Sequence, residues 1–260
     1  MKLVIQNKNK KDLFIAIFQT LKNCSTIISL IFKKDCLFIQ GMDKSHVCMF
    51  EIKINATWFY LYENNNNNDK TVSLDSHTFS TVLNVVNDNY SIEIYQDYND
   101  DDYLNINLIT MDGVVGEFGK YFKLPLTEDE KDILTLPNVD YDAEFSISSK
   151  KICEITSQML MFGTDIDIRC SEEQIQFITN GTAGEMTVNI PIDDLKEYSI
   201  AEGEVIDLKY SLNYISKMCL TNKLSSVIEF FISPDFPMKI KYDLGDESYM
   251  IFYIAPKISD

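Results

Sequence analysis

Apolar residues recur along this chain with two alternating periods. Near the N-terminus Leu13, Ile17 and Leu21 fall four residues apart, with Phe14 and Phe18 beside them, the one-sided stripe of an amphipathic helix. Strand-like text follows from Thr26 through Ile54, broken by turn signals at Lys33-Lys34-Asp35 and Gly41-Met42-Asp43-Lys44. Phe79, Val82, Leu83 and Val86 then fit one face of a second helix, and Ser91-Ile92-Glu93-Ile94 reads as a strand. The same order returns further on. Ile152, Ile155, Met159 and Phe162 make a helical stripe, short strands follow with breaks at Ser171-Glu172-Glu173 and at residues 180–184, and Leu208, Leu212, Ile215 and Cys219 fit another helix face before Val227-Ile228-Glu229-Phe230. Ile92 and Ile228, and likewise Glu93 and Glu229, lie 136 residues apart.

A unit written twice, each time with two short helices and many strands, predicts an α+β protein with helices packed on antiparallel sheets. Between the repeats, residues 124–141 combine two prolines, an acidic middle and isolated leucines, the composition of an extended linker. The expected domains are therefore 1–123 and 142–260, joined by a connector over 124–141. The asparagine run within 63–69 reads as a solvated hairpin tip without chemistry.

Composition narrows the classes. No apolar run approaches the ~20 residues that span a bilayer, and charge interrupts the N-terminal apolar stretch too early for a signal peptide, so the chain reads as intracellular and without a membrane partner. The six cysteines contain no C-x-x-C pair and only two histidines accompany them, a poor set for zinc and an ordinary one for buried thiols. No metal or other cofactor is expected. The formal net charge of −17 argues against nucleic acid by its sum, although binding depends on where positive charge is concentrated. Arg169 is the sole arginine among 23 basic residues, so sequence reading through the bidentate guanidinium fork is not expected, whereas lysines suffice for sequence-blind phosphate contact.

Catalytic signatures are missing: there is no G-x-S-x-G, no glycine loop for phosphates and no H-E-x-x-H, so no catalytic residue is assigned. The acidic run over residues 97–102 is the best metal candidate. It lacks the glycine and distal glutamate of a calcium loop and reads as a solvated turn, as His46 and His77 read as structural or surface residues. The lysines say more. Lys11 and Lys22 are eleven residues apart, near three helical turns, and so share a face. Lys150 and Lys151 open the first helix of the second repeat, and Lys209 and Lys217, with Lys223 just beyond, fall on its partner helix. Solvated helix faces explain such lysines about as well as a DNA surface does.

Four segments carry a family resemblance. Gly41-Met42-Asp43-Lys44-Ser45-His46-Val47 resembles the M-D-S-S-H-V segment of eukaryotic and archaeal sliding clamps, and Leu134-Thr135-Leu136-Pro137 followed by Tyr141 resembles their interdomain connector. Leu224-Ser225-Ser226 resembles the family's last helix-to-strand passage, and residues 253–258, Tyr-Ile-Ala-Pro-Lys-Ile, resemble its Y-L-A-P-K-I terminus. In register with the repeat, the chain is identified as a divergent member of the proliferating cell nuclear antigen family, of the kind found in a protist or a large DNA virus.

The resemblance implies a two-domain DNA clamp, the processivity fold, closing as a homotrimeric ring around double-stranded DNA. It places the ring in the nucleus, or in a viral replication compartment. It implies no enzymatic activity, and partners that dock as short peptides: DNA polymerase, flap nuclease, ligase and the clamp loader. The DNA-facing positions would be Lys8, Lys10, Lys11, Lys22, Lys150, Lys151, Lys209, Lys217 and Lys223. The peptide pocket would comprise Met42, His46, Val47, Leu134, Leu136, Pro137, Pro237, Tyr253, Ala255 and Pro256, an adaptable apolar surface suited to an aromatic plug. Subunits would join edge to edge, residues 103–110 of one against 173–179 of the next, through Tyr103, Asn105, Asn107, Ile109, Gln174, Gln176 and Ile178. Two departures weaken the basic lining: residues 76–87 hold no lysine, only His77, and Glu154 stands where the family carries a basic residue. Lys8 and Lys10 are expected to compensate. A hetero-ring subunit or a viral accessory factor without a closed ring is the alternative reading. A carboxylate–metal nuclease on residues 97–102 is the rival from another class.

Overall fold

The computed structural model describes residues 1–64, 68–97, 101–111, 115–128, 133–135, 137, 139–220 and 222–257. Its first half runs β1 (Lys2–Ile5), α1 (Lys8–Leu21), β2 (Ile27–Phe32), β3 (Cys36–Met42), β4 (Cys48–Asn55), β5 (Leu61–Glu63), β6 (Lys70–Asp75), α2 (Ser76–Leu83), β7 (Tyr90–Tyr95), β8 (Tyr103–Thr110) and β9 (Lys120–Pro125). The second half runs β10 (Ala143–Ser148), α3 (Ser149–Met159), β11 (Asp165–Cys170), β12 (Gln174–Gly181), β13 (Gly184–Pro191), β14 (Glu197–Ile200), β15 (Ile206–Ser211), α4 (Leu212–Met218), β16 (Val227–Ser233), β17 (Phe236–Gly245) and β18 (Ser248–Ile254). Element for element the two orders are the same.

The pairing repeats as well. Strands β5-β1-β7-β8-β9 neighbour one another in the first half, as β14-β10-β16-β17-β18 do in the second. The remaining strands follow β4-β3-β2-β6 and β13-β12-β11-β15. The ladders whose register lies among the described residues are antiparallel. By contacts the chain divides into two units: residues 1–42, 51–133 and 244–249, and residues 43–50, 134–243 and 250–260. The boundary after Ile133 falls inside the expected connector, and each unit takes in a short exchanged segment of the other half.

Alternation builds these strands. In β8 Leu104, Ile106 and Leu108 are buried and their neighbours are not, and in β12 Ile175, Phe177 and Thr179 do the same. The helices cover the apolar faces. Phe14, Ile17, Phe18 and Leu21 of α1 are buried, and Phe18 meets Phe14 and the Phe79 ring of α2 edge-on, with centroids 4.8 and 4.6 Å apart. Asn7 and Asp75 cap these helices by accepting from the backbone N–H groups of Lys10 and Thr78. In the second unit Phe145 of β10 stacks on Phe230 of β16 at 4.9 Å.

Three expectations change. The helix expected to carry Lys209 and Lys217 together is α4, which starts only at Leu212, so Lys209 lies on β15. Leu208 is likewise a strand residue, because the alternation of β15 runs directly into the helical stripe. Third, β8 and β12 are interior strands: β8 pairs with β7 and β9, and β12 with β11 and β13. Tyr103, Asn105, Asn107, Ile109, Gln174, Gln176 and Ile178 therefore sit on strands with both backbone edges occupied, and no edge-to-edge junction can use them.

Phe79, buried at the crossing of α1 and α2, is the contact whose loss is most legible. Phe79→Ala is expected to cost about 3–5 kcal/mol, measured as a lower urea midpoint with the slope unchanged.

Candidate functional site

The loop between β3 and β4 is built on one carboxylate. Asp43 is buried, and its Oδ1 accepts the backbone N–H of Val47 at 2.8 Å and of Cys48 at 2.7 Å. Its Oδ2 accepts the N–H of Ser45 at 3.0 Å and the hydroxyl of Tyr214, from α4, at 2.7 Å. Burial alone would raise the Asp43 pKa. The donors at Cys48, Tyr214, Ser45 and Val47 outweigh it and hold the carboxyl below its ordinary value of 3.8. Tyr214 responds in the opposite sense, its phenol pushed up first by the bond to Asp43 and then by burial. The turn places His46, exposed, at φ +56°, a left-handed conformation costly for a residue other than glycine, which the four bonds to Asp43 hold in place.

That turn sits against the end of β18, where Ala255 N–H donates to Val47 O at 3.0 Å. Val47, Tyr253, Ala255 and Pro256 are all half-buried there. A second cluster forms where the connector ends. Tyr141 donates its hydroxyl to Pro237 O at 3.3 Å, and its ring lies 5.7 Å from Phe231 and 6.3 Å from Phe236. Leu134 and Pro137 are exposed on the connector, Leu136 lies outside the described residues, and Met42, ending β3, belongs to the first unit. Of the residues expected in the pocket, the structure joins Val47 to Ala255 and Pro237 to Tyr141; the expected set left out Asp43, Tyr214, Phe231, Phe236 and Lys239, which pack or bond beside them. The cross-strand pairing of Phe231 with Lys239, which only the register shows, is what brings the last of these together.

The lysines separate into exposed and committed ones. Lys11 is a correction: it is 2% exposed, and its ammonium donates to the carbonyls of Asn87, Asp88 at 3.0 Å, and Tyr90. It lies three residues before Phe14, at the margin of the apolar stripe, where residues 87–90 cover it. Lys22, at nearly the same helical angle, is the C-cap and stays exposed. Burial lowers the Lys11 pKa, with Asp88 and Asp12 opposing. Lys10 donates to Trp58 O and to Asp246, each at 2.7 Å, and Lys8 pairs with Asp88 at 2.6 Å. In the second unit Lys151 lies 3.7 Å from Glu154, Lys209 lies 3.4 Å from Asp167, and Lys217 rests 5.8 Å from the Tyr214 ring centroid. Lys223 is exposed beyond α4. The side chains of Lys22 and Lys150 are exposed and have no ion-pair partner among the described residues.

The acidic run over residues 97–102 lies partly outside the described residues; Asp101 pairs with Lys70 at 2.9 Å. Among the described residues no group of three or more His, Cys, Asp or Glu is placed to hold a metal ion.

Two repeats of one β-rich unit, with sheets in matching order and a capped loop beside the C-terminal strand, define the clamp class of fold. Comparison with known proteins says which clamp. The model described as proliferating cell nuclear antigen, N-terminal domain, matches residues 6–121, and that of the C-terminal domain matches residues 135–257. The chain belongs to the proliferating cell nuclear antigen family. It is 24% identical over 256 residues to "Proliferating cell nuclear antigen 2" of Plasmodium falciparum, covering 95% of this chain and 96% of that protein. It is 28% identical over 251 residues to "DNA polymerase sliding clamp 3" of Sulfurisphaera tokodaii, covering 95% and 96%. It is 24% identical over 224 residues to a "Probable DNA polymerase sliding clamp" of Autographa californica nuclear polyhedrosis virus, covering 85% and 83%.

Two tests follow from this geometry. Asp43→Asn is expected to destabilise the second unit by about 1.5–3 kcal/mol, because a charge-assisted acceptor is lost. Since the native carboxyl titrates below 3.8, its stabilisation is complete above that pH and disappears as pH falls through the lower native value. Hydrogen exchange at the Val47 and Cys48 amides in both proteins between pH 2 and 6 measures it. For the lysines, Lys22→Ala and Lys150→Ala should each flatten the log–log salt dependence of DNA binding by about 1 without changing stability. Lys11→Ala should instead cost about 2–3 kcal/mol of stability by orphaning carbonyls, read by urea titration.

Proposed function

We propose that the chain is a DNA sliding clamp, a processivity factor that encircles duplex DNA as a homotrimer and tethers polymerase, flap nuclease, ligase and clamp loader through short peptides. Its role is that of a scaffold, exercised where DNA is replicated: the nucleus, or a viral replication compartment. Family membership supports the clamp.

One observation carries the ring. Because the halves repeat, β18 corresponds to β9 and β4 to β13. Within the second unit the start of β4 lies beside β18, as the Ala255–Val47 bond records, and within the first unit Asn55 N–H donates to Ser248 Oγ at 3.0 Å. Strands β9 and β13 have one neighbour each. Other sheet margins are short or capped: β5 has three residues and β14 four, β6 takes a bond from Thr127 N–H through Ser73 O, and β15 takes one from Lys257 N–H through Lys209 O. An open edge of this length needs a partner, and a second copy supplies it by repeating the β18–β4 junction as β9 against β13.

The flanking side chains fit that use. On and beside β9, Tyr121 is 73% and Phe118 78% exposed. Beside β13, Leu160 and Met161 at the end of α3 are exposed, and the loop that carries them lies so close to the β12–β13 turn that a Cβ on Gly181 would sit 2.0 Å from Phe162 O. Aromatic rings on one edge thus face aliphatic side chains on the other.

Light scattering on the purified chain should give a trimer mass, and Tyr121→Ala, whose side chain touches solvent in the isolated subunit, should shift it to monomer while leaving the unfolding midpoint of the subunit unchanged. A wild-type chain that stays monomeric at micromolar concentration and does not lengthen polymerase products on primed circular DNA would overturn the ring and favour the hetero-ring or accessory-factor alternative.

A further inference from the structure

Lys239 and Lys241 stand two residues apart on β17, on the same face, and each is paired in register with a residue of β16. The two pairs differ in one respect. Lys241 faces Glu229, and their charged atoms meet at 2.9 Å. Lys239 faces Phe231, and its ammonium lies 3.8 Å from that ring's centroid and 5.3 Å from the Tyr141 ring. No carboxylate of the described residues comes within ion-pair distance of Lys239. Glu144 is one strand further across, opposite Phe231 itself.

The ammonium thus rests against two aromatic faces and has no counter-ion among the described residues. Its surroundings disfavour the charge: burial lowers the pKa first, the neighbouring Lys241 lowers it further, and Glu144 and Glu229 offset this only in part. An incoming carboxylate would find a cation already oriented and partly stripped of water, so little ordering is needed to form the pair. The surroundings also place it. Phe236 and Pro237 precede Lys239 on the same strand, Tyr141 bonds to Pro237 O, and Phe236, Tyr141 and Phe231 are half-buried. Rings and cation form one surface, with the exposed Pro237 at its margin.

We propose that Lys239 is a specificity determinant of the docking surface, pairing with an aspartate or glutamate that the partner peptide carries beside its apolar plug. This rests on the peptide-docking reading above and deepens it: the clamp selects, among apolar-anchored peptides, those with an acidic flank. The isolated cation beside aromatic residues, next to a lysine of the same strand that is neutralised within the chain, is the charge complementarity that commits the site to an anion.

The test uses fluorescein-labelled peptides with a pair of phenylalanines as the apolar plug in a neutral flank, and a series with one Glu, Gln or Lys at each flanking position in turn. Binding to the full chain is followed by anisotropy. At one or more positions Glu should bind about tenfold tighter than Gln, and that preference should shrink as salt rises. Lys239→Met should abolish the preference and leave the neutral peptide's affinity within about twofold, Lys239→Arg should keep it, and Lys239→Glu should favour the Lys series. Circular dichroism and the oligomer mass of each variant exclude a folding defect. If wild type binds the neutral peptide but no Glu position discriminates it from Lys239→Met, the inference fails and the docking surface stands. If wild type binds none of the peptides, the docking reading itself fails.

Discussion

Everything in this fold turns on where backbone hydrogen bonds end. A strand at a sheet margin leaves a row of N–H and C=O groups unpaired, and a protein must blunt, cover or use it. This chain blunts β5 and β14 by brevity and covers β6 and β15 with single bonds from Thr127 and Lys257. Among the described residues the internal duplication leaves a further pair of margins, β9 and β13, with one neighbour each. One half can supply β18 to the other half's β4, but the reciprocal strands β9 and β13 lie at the far ends of the series. In the proposed assembly a second copy repeats that junction head to tail, and whether the series closes depends on the rotation per junction.

The same economy governs the recognition surface. The loop that carries His46 and Val47, part of the proposed docking surface, has too few residues for a core of its own, so its conformation must come from polar bonds. Asp43 supplies them: one carboxylate organises three amides and a phenol from a distant helix, and tolerates the left-handed backbone at His46. The connector end uses aromatic packing instead, with Tyr141 wedged between Phe231 and Phe236. On the proposed docking of a flexible peptide, rigid loop and packed rings together would reduce the ordering cost of capture.

How much of this the sequence displays depends on the range of the interactions involved. The α1, α2 and α3 stripes are local, and Phe14, Phe18, Phe79 and Met159 are buried as their spacing predicts. The repeat is legible because periodicity needs no partner. Strand edges are not. The expected interface was carried over from the family resemblance onto β8 and β12, and nothing in their clean alternation shows whether a strand is central or marginal. The open margins β9 and β13 read as weaker text, with Tyr121 and Glu185 facing outward. Lys11 escaped for the converse reason: its burial depends on residues 87–90, which no local spacing connects to α1.

The fate of the lysines resolves the conflict between a charge of −17 and a DNA partner. Most basic side chains whose partners are visible serve the chain itself: Lys2 with Glu93, Lys10 with Asp246, Lys70 with Asp101, Lys209 with Asp167, Lys257 with Asp165, and Lys11 inside the fold. These contacts limit repulsion within an acidic molecule and commit six lysines to partners within the chain. What remains exposed on the helices, Lys22 and Lys150 above all, is sparse. Sparse contact is compatible with the proposed ring, because a ring holds DNA by topology and needs no affinity to stay on. Each additional phosphate contact would deepen the electrostatic trap at every position along the duplex, and a clamp that moves with its polymerase is better served by few, screened lysines than by many.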